Sequence, residues 1–229
     1  MAVKRSGAPG KRSQRTSGRI PPAKEPHGES PLSRDRIVAT AVELLDAQGL
    51  DGLTMRRLAD RLGSGVMSLY WHVDSKEDVF DLALDSVLEY RGPPQGVESQ
   101  DWRGDVVHVL EDWRAGMLRH PWSASLLPRR ALGPSILGRL ERMSKILSSA
   151  GVADADVNAA IWSLWNYVMG ATVTRASFDL SDDDRAAAQQ RLASERYPTI
   201  ERSRLLLDND WDGAFRKGLD FLLDGLSRK

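Results

Sequence analysis

Two kinds of chemistry are open to this chain, and its composition separates them. It has no Cys and only 4 His in 229 residues. Disulfide scaffolds, thiolate catalysis, Cys-ligated zinc and iron–sulfur clusters are therefore excluded. His108 and Asp112 stand at i, i+4 spacing and His120 precedes a proline, so a metal site or general base in an all-α enzyme would have to come from these. No paired-His motif supports that reading. An exposed helix position for His108 and a helix-end contact with the dipole for His120 are the ordinary alternatives. The expectation is no enzyme activity, no cofactor and no metal. Binding chemistry is better supplied, between residues 54 and 76. Thr54 and Ser68 carry hydroxyls, Tyr70 a phenol, Trp71 an indole N–H and Lys76 an ammonium, each able to donate to an anionic oxygen. Arg56 offers the two parallel donors of a guanidinium.

The chain balances 32 Lys and Arg against 32 Asp and Glu, but only on average. Residues 1–76 hold 13 basic and 8 acidic side chains, and the remainder 19 and 24. Such asymmetry suits an anionic partner for the N-terminal part. The excess lies in residues 1–31, which carry 7 basic and 2 acidic residues; residues 32–76 carry 6 of each. Anion binding by 32–76 must therefore rest on placement, not bulk charge. The apolar runs fall far short of the roughly 20 residues that a bilayer span needs. The basic leader has no apolar core of a secretory signal. No membrane partner is expected, and the lack of Cys fits a cytoplasmic location.

The elements that position these side chains all have a helical period. Residues 1–31, rich in Gly, Pro, Ser, Lys and Arg, are expected to be a disordered basic tail. It acts either as a solubilising leader or as an arm for phosphates or a minor groove. Ser33 is a candidate N-cap for a helix with Ile37, Ala41, Leu44 and Leu45 on one stripe, ended by Gly49. Thr54 caps a short helix with Leu58, Ala59 and Leu62 inward, stopped by Gly63. A third begins near Ser64 or Gly65 and runs to His72, with Leu69 and Val73 buried. Two short helices joined by a Gly turn, after a longer supporting helix, make a helix-turn-helix pattern. Ser75-Lys-Glu-Asp78 reads as a capping box opening a helix over 76–90, broken by the Gly/Pro cluster at 91–96. Helices are expected over 101–119, near 122–128, over 134–149, 154–177, 184–196 and 210–227. The fold class is all-α: a three-helix helix-turn-helix domain at 32–76 and a helical ligand-binding and dimerisation domain at 77–229.

Over Leu53-Thr-Met-Arg-Arg-Leu-Ala-Asp-Arg-Leu-Gly63, Ser68-Leu-Tyr-Trp-His-Val73 and Lys76, this segment resembles the DNA-binding domain of the TetR family of transcriptional regulators, and its tetracycline-repressor branch in particular. The resemblance implies double-stranded operator DNA as partner. It places Thr54, Ser68, Tyr70, Trp71, His72 and Lys76 at phosphates and Arg56 at a guanine edge, worth about 1–3 kcal/mol of discrimination. The start of the reading helix departs from the family habit. Ser64 stands at the DNA-facing start, but Gly65, Val66 and Met67 supply only backbone approach and van der Waals contact, so DNA shape is expected to carry more of the specificity. For Trp71 and Tyr70 the alternative is core packing between the third and fourth helices, and His72 serves equally as a surface residue.

By the same resemblance, the 154–177 and 210–227 helices pair with their copies in a homodimer. The segment 161–173 is apolar nearly all round, and Gly170 and Ala171 permit close helix approach. A central helix of a monomer is the alternative. The family also implies a small-molecule effector. Trp113, Met117, Trp122, Met143, Trp162, Trp165, Asn166 and Met169 are the expected surroundings of its cavity, an adaptable apolar wall with one orienting amide. Each of these alone is ordinary core; together they count for more, because five of the 7 Trp fall between 102 and 165. The function this implies is a ligand-responsive transcriptional regulator, a repressor released by a small apolar or aromatic effector. A constitutive DNA binder without an effector is the alternative.

Overall fold

The computed structural model describes residues 31–90, 92, 101–130, 132–177, 181–192, 197–203 and 210–227. The basic leader up to residue 30, and residues 91 and 93–100 of the Gly/Pro region, lie outside the described residues. Eleven α-helices are found among the described residues: α1 (Arg34–Gly52), α2 (Met55–Leu62), α3 (Val66–Leu69), α4 (Lys76–Val87), α5 (Trp102–Arg119), α6 (Pro121–Leu126), α7 (Pro134–Ser149), α8 (Asp154–Ser177), α9 (Asp182–Leu192), α10 (Pro198–Ser203) and α11 (Trp211–Ser227). A 3-10 turn at Leu127–Arg129 follows α6. The protein is all-α.

The starts of the first helices follow from side-chain oxygens that take up free backbone N–H groups. Ser33 accepts from Arg36 N at 3.2 Å, Thr54 from Arg57 N at 3.2 Å and Ser75 from Asp78 N at 3.0 Å. Each such cap stabilises its helix by about 1 kcal/mol. Asp78 closes the box one residue earlier than the usual pattern, accepting from Asp74 N at 3.1 Å. Glycines set the breaks. Gly49 adopts φ +67° and kinks α1 before its last residues, and Gly63, at φ +65°, lets Ser64 N reach back to Ala59 O at 3.0 Å. That return bond ties off the carbonyls at the end of α2.

The reading helix is shorter than its sequence pattern predicts. It stops at Leu69, because the N–H groups of both His72 and Val73 turn back to the Leu69 carbonyl, at 2.9 and 3.1 Å. Tyr70, Trp71 and His72 form the turn that follows. Likewise α4 ends at Val87 instead of 90, with Leu88 leaving helical geometry at φ −104°, ψ 9°. The expected 184–196 helix is found over Asp182–Leu192, with 193–196 outside the described residues, and α10, which has no buried residue, is an addition.

One apolar core runs from Ile37 to Leu223. In the head, Ile37, Ala41, Leu44 and Leu45 of α1 meet Leu58, Ala59 and Leu62 of α2, Leu69 of α3, and Val79, Phe80, Ala83 and Leu84 of α4. Burial of each large aliphatic side chain contributes about 1.5–3 kcal/mol. In the body, α5 packs on α7 and α8, and α8 on α11. Helix α4 belongs to both parts: it lies along α1 and meets α6 and α7.

Candidate functional site

Residues 54–76 place a band of side chains on the outer surface of the head. Leu69 and Val73 face the core, which turns their neighbours to solvent. Met67 is 75% exposed, Tyr70 46% and Trp71 87%. The packing alternative for Trp71 is thereby excluded. Three large apolar side chains left in water within five residues mark a contact surface rather than a fold requirement. Arg56 is exposed on α2, while Thr54, Ser68, His72 and Lys76 are half-buried around it. Thr54 Oγ1 accepts the capping bond, which leaves its own hydrogen to donate outward. Lys76 Nζ sits 5.1 Å from the Phe80 ring centre, holding the ammonium near the start of α4. Gly65 caps α3, and a Cβ there would meet nothing closer than Ser68 Oγ at 3.8 Å. Ser64 is directed differently: its hydroxyl is buried and has no hydrogen-bond partner.

Behind the head, contacts at Asp46, Asp81, Asp85 and Leu88 fix α1 and α4 to the body. Asp46 of α1 accepts from Trp122 Nε1 at 2.7 Å and pairs with His120 Nδ1 at 2.8 Å. On α4, Asp81 accepts from Arg130 Nε at 2.6 Å, which pushes the guanidinium above its ordinary pKa, and Asp85 accepts from Ser135 N and Oγ at 2.8 and 2.9 Å. At the end of α4, Arg139 of α7 donates to Leu88 O at 2.9 Å.

Arg139 also lines a cavity between α5, α7 and α8, together with Leu110, Trp113, Leu140, Met143, Ile161, Leu164 and Trp165. Its guanidinium further donates to Val109 O and Asp112 Oδ2, both at 2.9 Å, and lies over the rings of Tyr90 and Trp113. Burial draws its pKa down, opposed by the Asp112 bond; arginine nevertheless stays charged in proteins. Burial similarly raises the pKa of the Tyr90 phenol, which keeps it protonated. The free space is small, about 10 Å³, room for about one water molecule.

Of the eight residues expected around this cavity, Trp113, Met143 and Trp165 line it, the two indoles packed edge to face at 4.7 Å. The other five do not. Met117 is wholly buried along α5 and Met169 is buried on α8. Trp122 is committed to Asp46 at the junction of head and body. Trp162 is 53% exposed, and Asn166 faces solvent, so the polar group in the wall is Arg139 instead. A signal for Arg139 did exist: it falls on the stripe of Ile136, Met143 and Leu147, where a charge has no reason to be unless it is bonded.

The residues of the enzyme alternative are otherwise engaged. Asp112 takes Arg139, the His108 ring meets Tyr90 edge-on at 6.0 Å, and His120 holds Asp46. Among the described residues no cluster of three or more metal-ligating side chains forms.

Comparison with known proteins agrees with this architecture. Residues 37–83 match the family described as bacterial regulatory proteins, tetR family, and residues 94–229 the tetracyclin repressor-like C-terminal domain. An HTH-type transcriptional regulator of Saccharopolyspora erythraea is 38% identical over 212 residues, covering 90% of this chain and 89% of that protein. The HTH-type transcriptional repressor DrrR1 of Streptomyces coeruleorubidus is 34% identical, over 85% of this chain and 77% of its own length. Among solved structures, the Streptomyces coelicolor TetR family protein ActR in complex with actinorhodin superposes with a TM-score of 0.71 at 30% identity, covering 86% of this chain and 96% of that one. An exposed reading turn on a capped helix-turn-helix, backed by a helical body that matches over its length, makes this chain a member of the TetR family of DNA-binding transcriptional regulators.

Proposed function

We propose that the protein is a ligand-responsive repressor that holds operator DNA as a homodimer and releases it when an aromatic small molecule enters the α5–α7–α8 cavity. Thr54, Ser68, Tyr70, Trp71, His72 and Lys76 hold phosphates, Arg56 reads a base edge, and Gly65, Val66 and Met67 approach the major groove, with Ser64 behind them. The two copies pair through α8 and α11, whose outward faces keep Trp162, Val173 and Phe221 exposed. ActR, a relative in fold and sequence, is known with actinorhodin bound, which supports a small-molecule effector here.

The observation that carries this reading is the double attachment of α4. One side of the helix lies along α1 of the head, and the carbonyl beyond its last turn is held by Arg139, a wall of the cavity. A drug-sized ligand needs about 300–1,000 Å³, far more than the 10 Å³ present. It therefore binds only a form in which the walls have parted, and that difference in affinity is what shifts the population. Parting the walls moves Arg139 and with it the end of α4. The two heads then no longer match successive major grooves, about 34–36 Å apart. The test is fluorescence anisotropy of the dimer on labelled DNA from upstream of its own gene, titrated with planar polycyclic compounds. Loss of DNA binding on ligand addition is expected; affinity unaltered by every ligand that binds would leave a constitutive DNA binder.

A further inference from the structure

The head is also tied to the body through α1, and that tie touches no wall of the cavity. Asp46 accepts from Trp122 Nε1 at 2.7 Å and from His120 Nδ1 at 2.8 Å. Trp122 is buried and an indole N–H only donates, so the Asp46 carboxylate is what satisfies it. The same carboxylate selects Nδ1 as the donor of His120, in the neutral and the charged ring alike. Both donors stand on a stiff corner. His120 N donates to Gly116 O at 3.0 Å and Ser123 N to His120 O at 2.8 Å. Pro121 opens α6 between them, its φ fixed by the ring. On the head side, Gln48 follows closely on α1, and its Oε1 accepts from Arg57 Nη1 at 3.1 Å. The same nitrogen donates to Gly52 O at 3.2 Å. A path of hydrogen bonds thus runs from the α5–α6 corner, along the end of α1, to the helix that carries Arg56.

Helix α4 is held differently. Its bonds run to Ser135 and Arg139 of α7, the helix that lines the cavity, whereas Asp46, His120 and Trp122 line none of it. When one attachment of a packed unit shifts and the other stays, the unit turns about the one that stays. Resting on the reading of a dimer whose heads swing as the cavity opens, we propose that Asp46, held by Trp122 and His120, is the pivot of the head and a positioning residue for operator recognition. It sets the angle of α1 against the body and, through Gln48 and Arg57, the aim of α2. Fixing that angle in advance lets two heads engage one separation of half-sites together and not a range of them.

The test is half-site spacing, read by fluorescence anisotropy on the full-length protein. The probes are the footprinted fragment from upstream of its own gene, the same fragment with one or two base pairs added at its centre, and a duplex holding a single half-site. Each added pair turns one half-site by about 35° against the other. The wild type is expected to lose about tenfold in affinity at two added pairs. Asp46→Ala is expected to lose about tenfold at the natural spacing, to vary less than about threefold across spacings, and to match the wild type on the single half-site. Trp122→Phe keeps a ring in the core without the N–H and should shift in the same direction; it carries the test if Asp46→Ala fails to fold. Asp46→Asn keeps an acceptor for the indole and should stay near the wild type. A contact that only stabilises the fold would weaken every probe alike, the single half-site included. That result overturns the proposal, as does a wild-type spacing preference in Asp46→Ala and Trp122→Phe. A wild type indifferent to spacing would sink the paired-head reading, and the pivot with it.

Discussion

Trp71 shows how the head divides its residues between folding and contact. An indole 87% exposed adds little to stability, so Trp71→Ala is expected to change unfolding free energy by no more than about 0.5 kcal/mol. Operator affinity should drop about tenfold, the worth of a lost hydrogen bond with its apolar contact; unfolding curves and anisotropy titrations on the same sample check both. Arg56→Ala should relax base preference at one position, whereas Lys76→Ala should weaken all sequences alike and reduce the salt slope by about 1. A different residue-level test concerns acid. Arg114 donates to Asp212 at 2.7 Å and holds that carboxyl below its ordinary pKa. The folded value lies under the unfolded one, so the stabilisation is present above about pH 4 and is lost as pH falls through the folded value. The melting-temperature gap between wild type and Asp212→Asn should thus be present at pH 7 and narrow as the carboxyl is protonated in acid; a constant gap would contradict it. At this scale the caps at Ser33, Thr54 and Ser75 were legible, because a hydroxyl before an apolar stripe has few other uses. Arg139 was legible only in part: its place on the apolar stripe of α7 marks it, but the carbonyls of Leu88 and Val109 that hold it show only once the fold is in place.

Helix α4 is the element on which the account turns. Replacing Arg139 with Met leaves Leu88 O, Val109 O and the Asp112 carboxylate without their donor. Urea unfolding should show a loss of about 3–5 kcal/mol, the cost of breaking a buried charged pair from one side. Ser75→Ala should cost about 1 kcal/mol at the other end of α4. The long helices were readable from the amino-acid sequence almost to the residue, α5 and α7 by their apolar period and α8 by its long apolar run. The shortness of α3 was not, because it depends on one carbonyl, that of Leu69, accepting two N–H groups. Nor was α10, which buries nothing and so leaves no period to read. The cavity was half legible. Trp113, Met143 and Trp165 were found by composition, but which way Asn166 and Trp162 face depends on the rotation of α8, and an all-round apolar helix does not reveal that.

At the scale of the whole molecule, the proposed dimer rests on the outward faces of α8 and α11. Phe221 is 66% exposed on α11, and Gly170 on α8 and Gly225 on α11 have open space where a side chain would stand. Phe221→Glu puts a charge on this face and should convert a dimeric elution volume to a monomeric one, with operator affinity lost alongside. A dimer that persists would move the interface elsewhere. The most direct measurement is DNase I footprinting of the wild type and Arg56→Ala on the fragment upstream of its own gene at low salt. Protection of two inverted half-sites centred about 10–10.5 base pairs apart is expected, with the Arg56→Ala protection spread over related sequences. No protection by the wild type, or an identical pattern from Arg56→Ala, would contradict it.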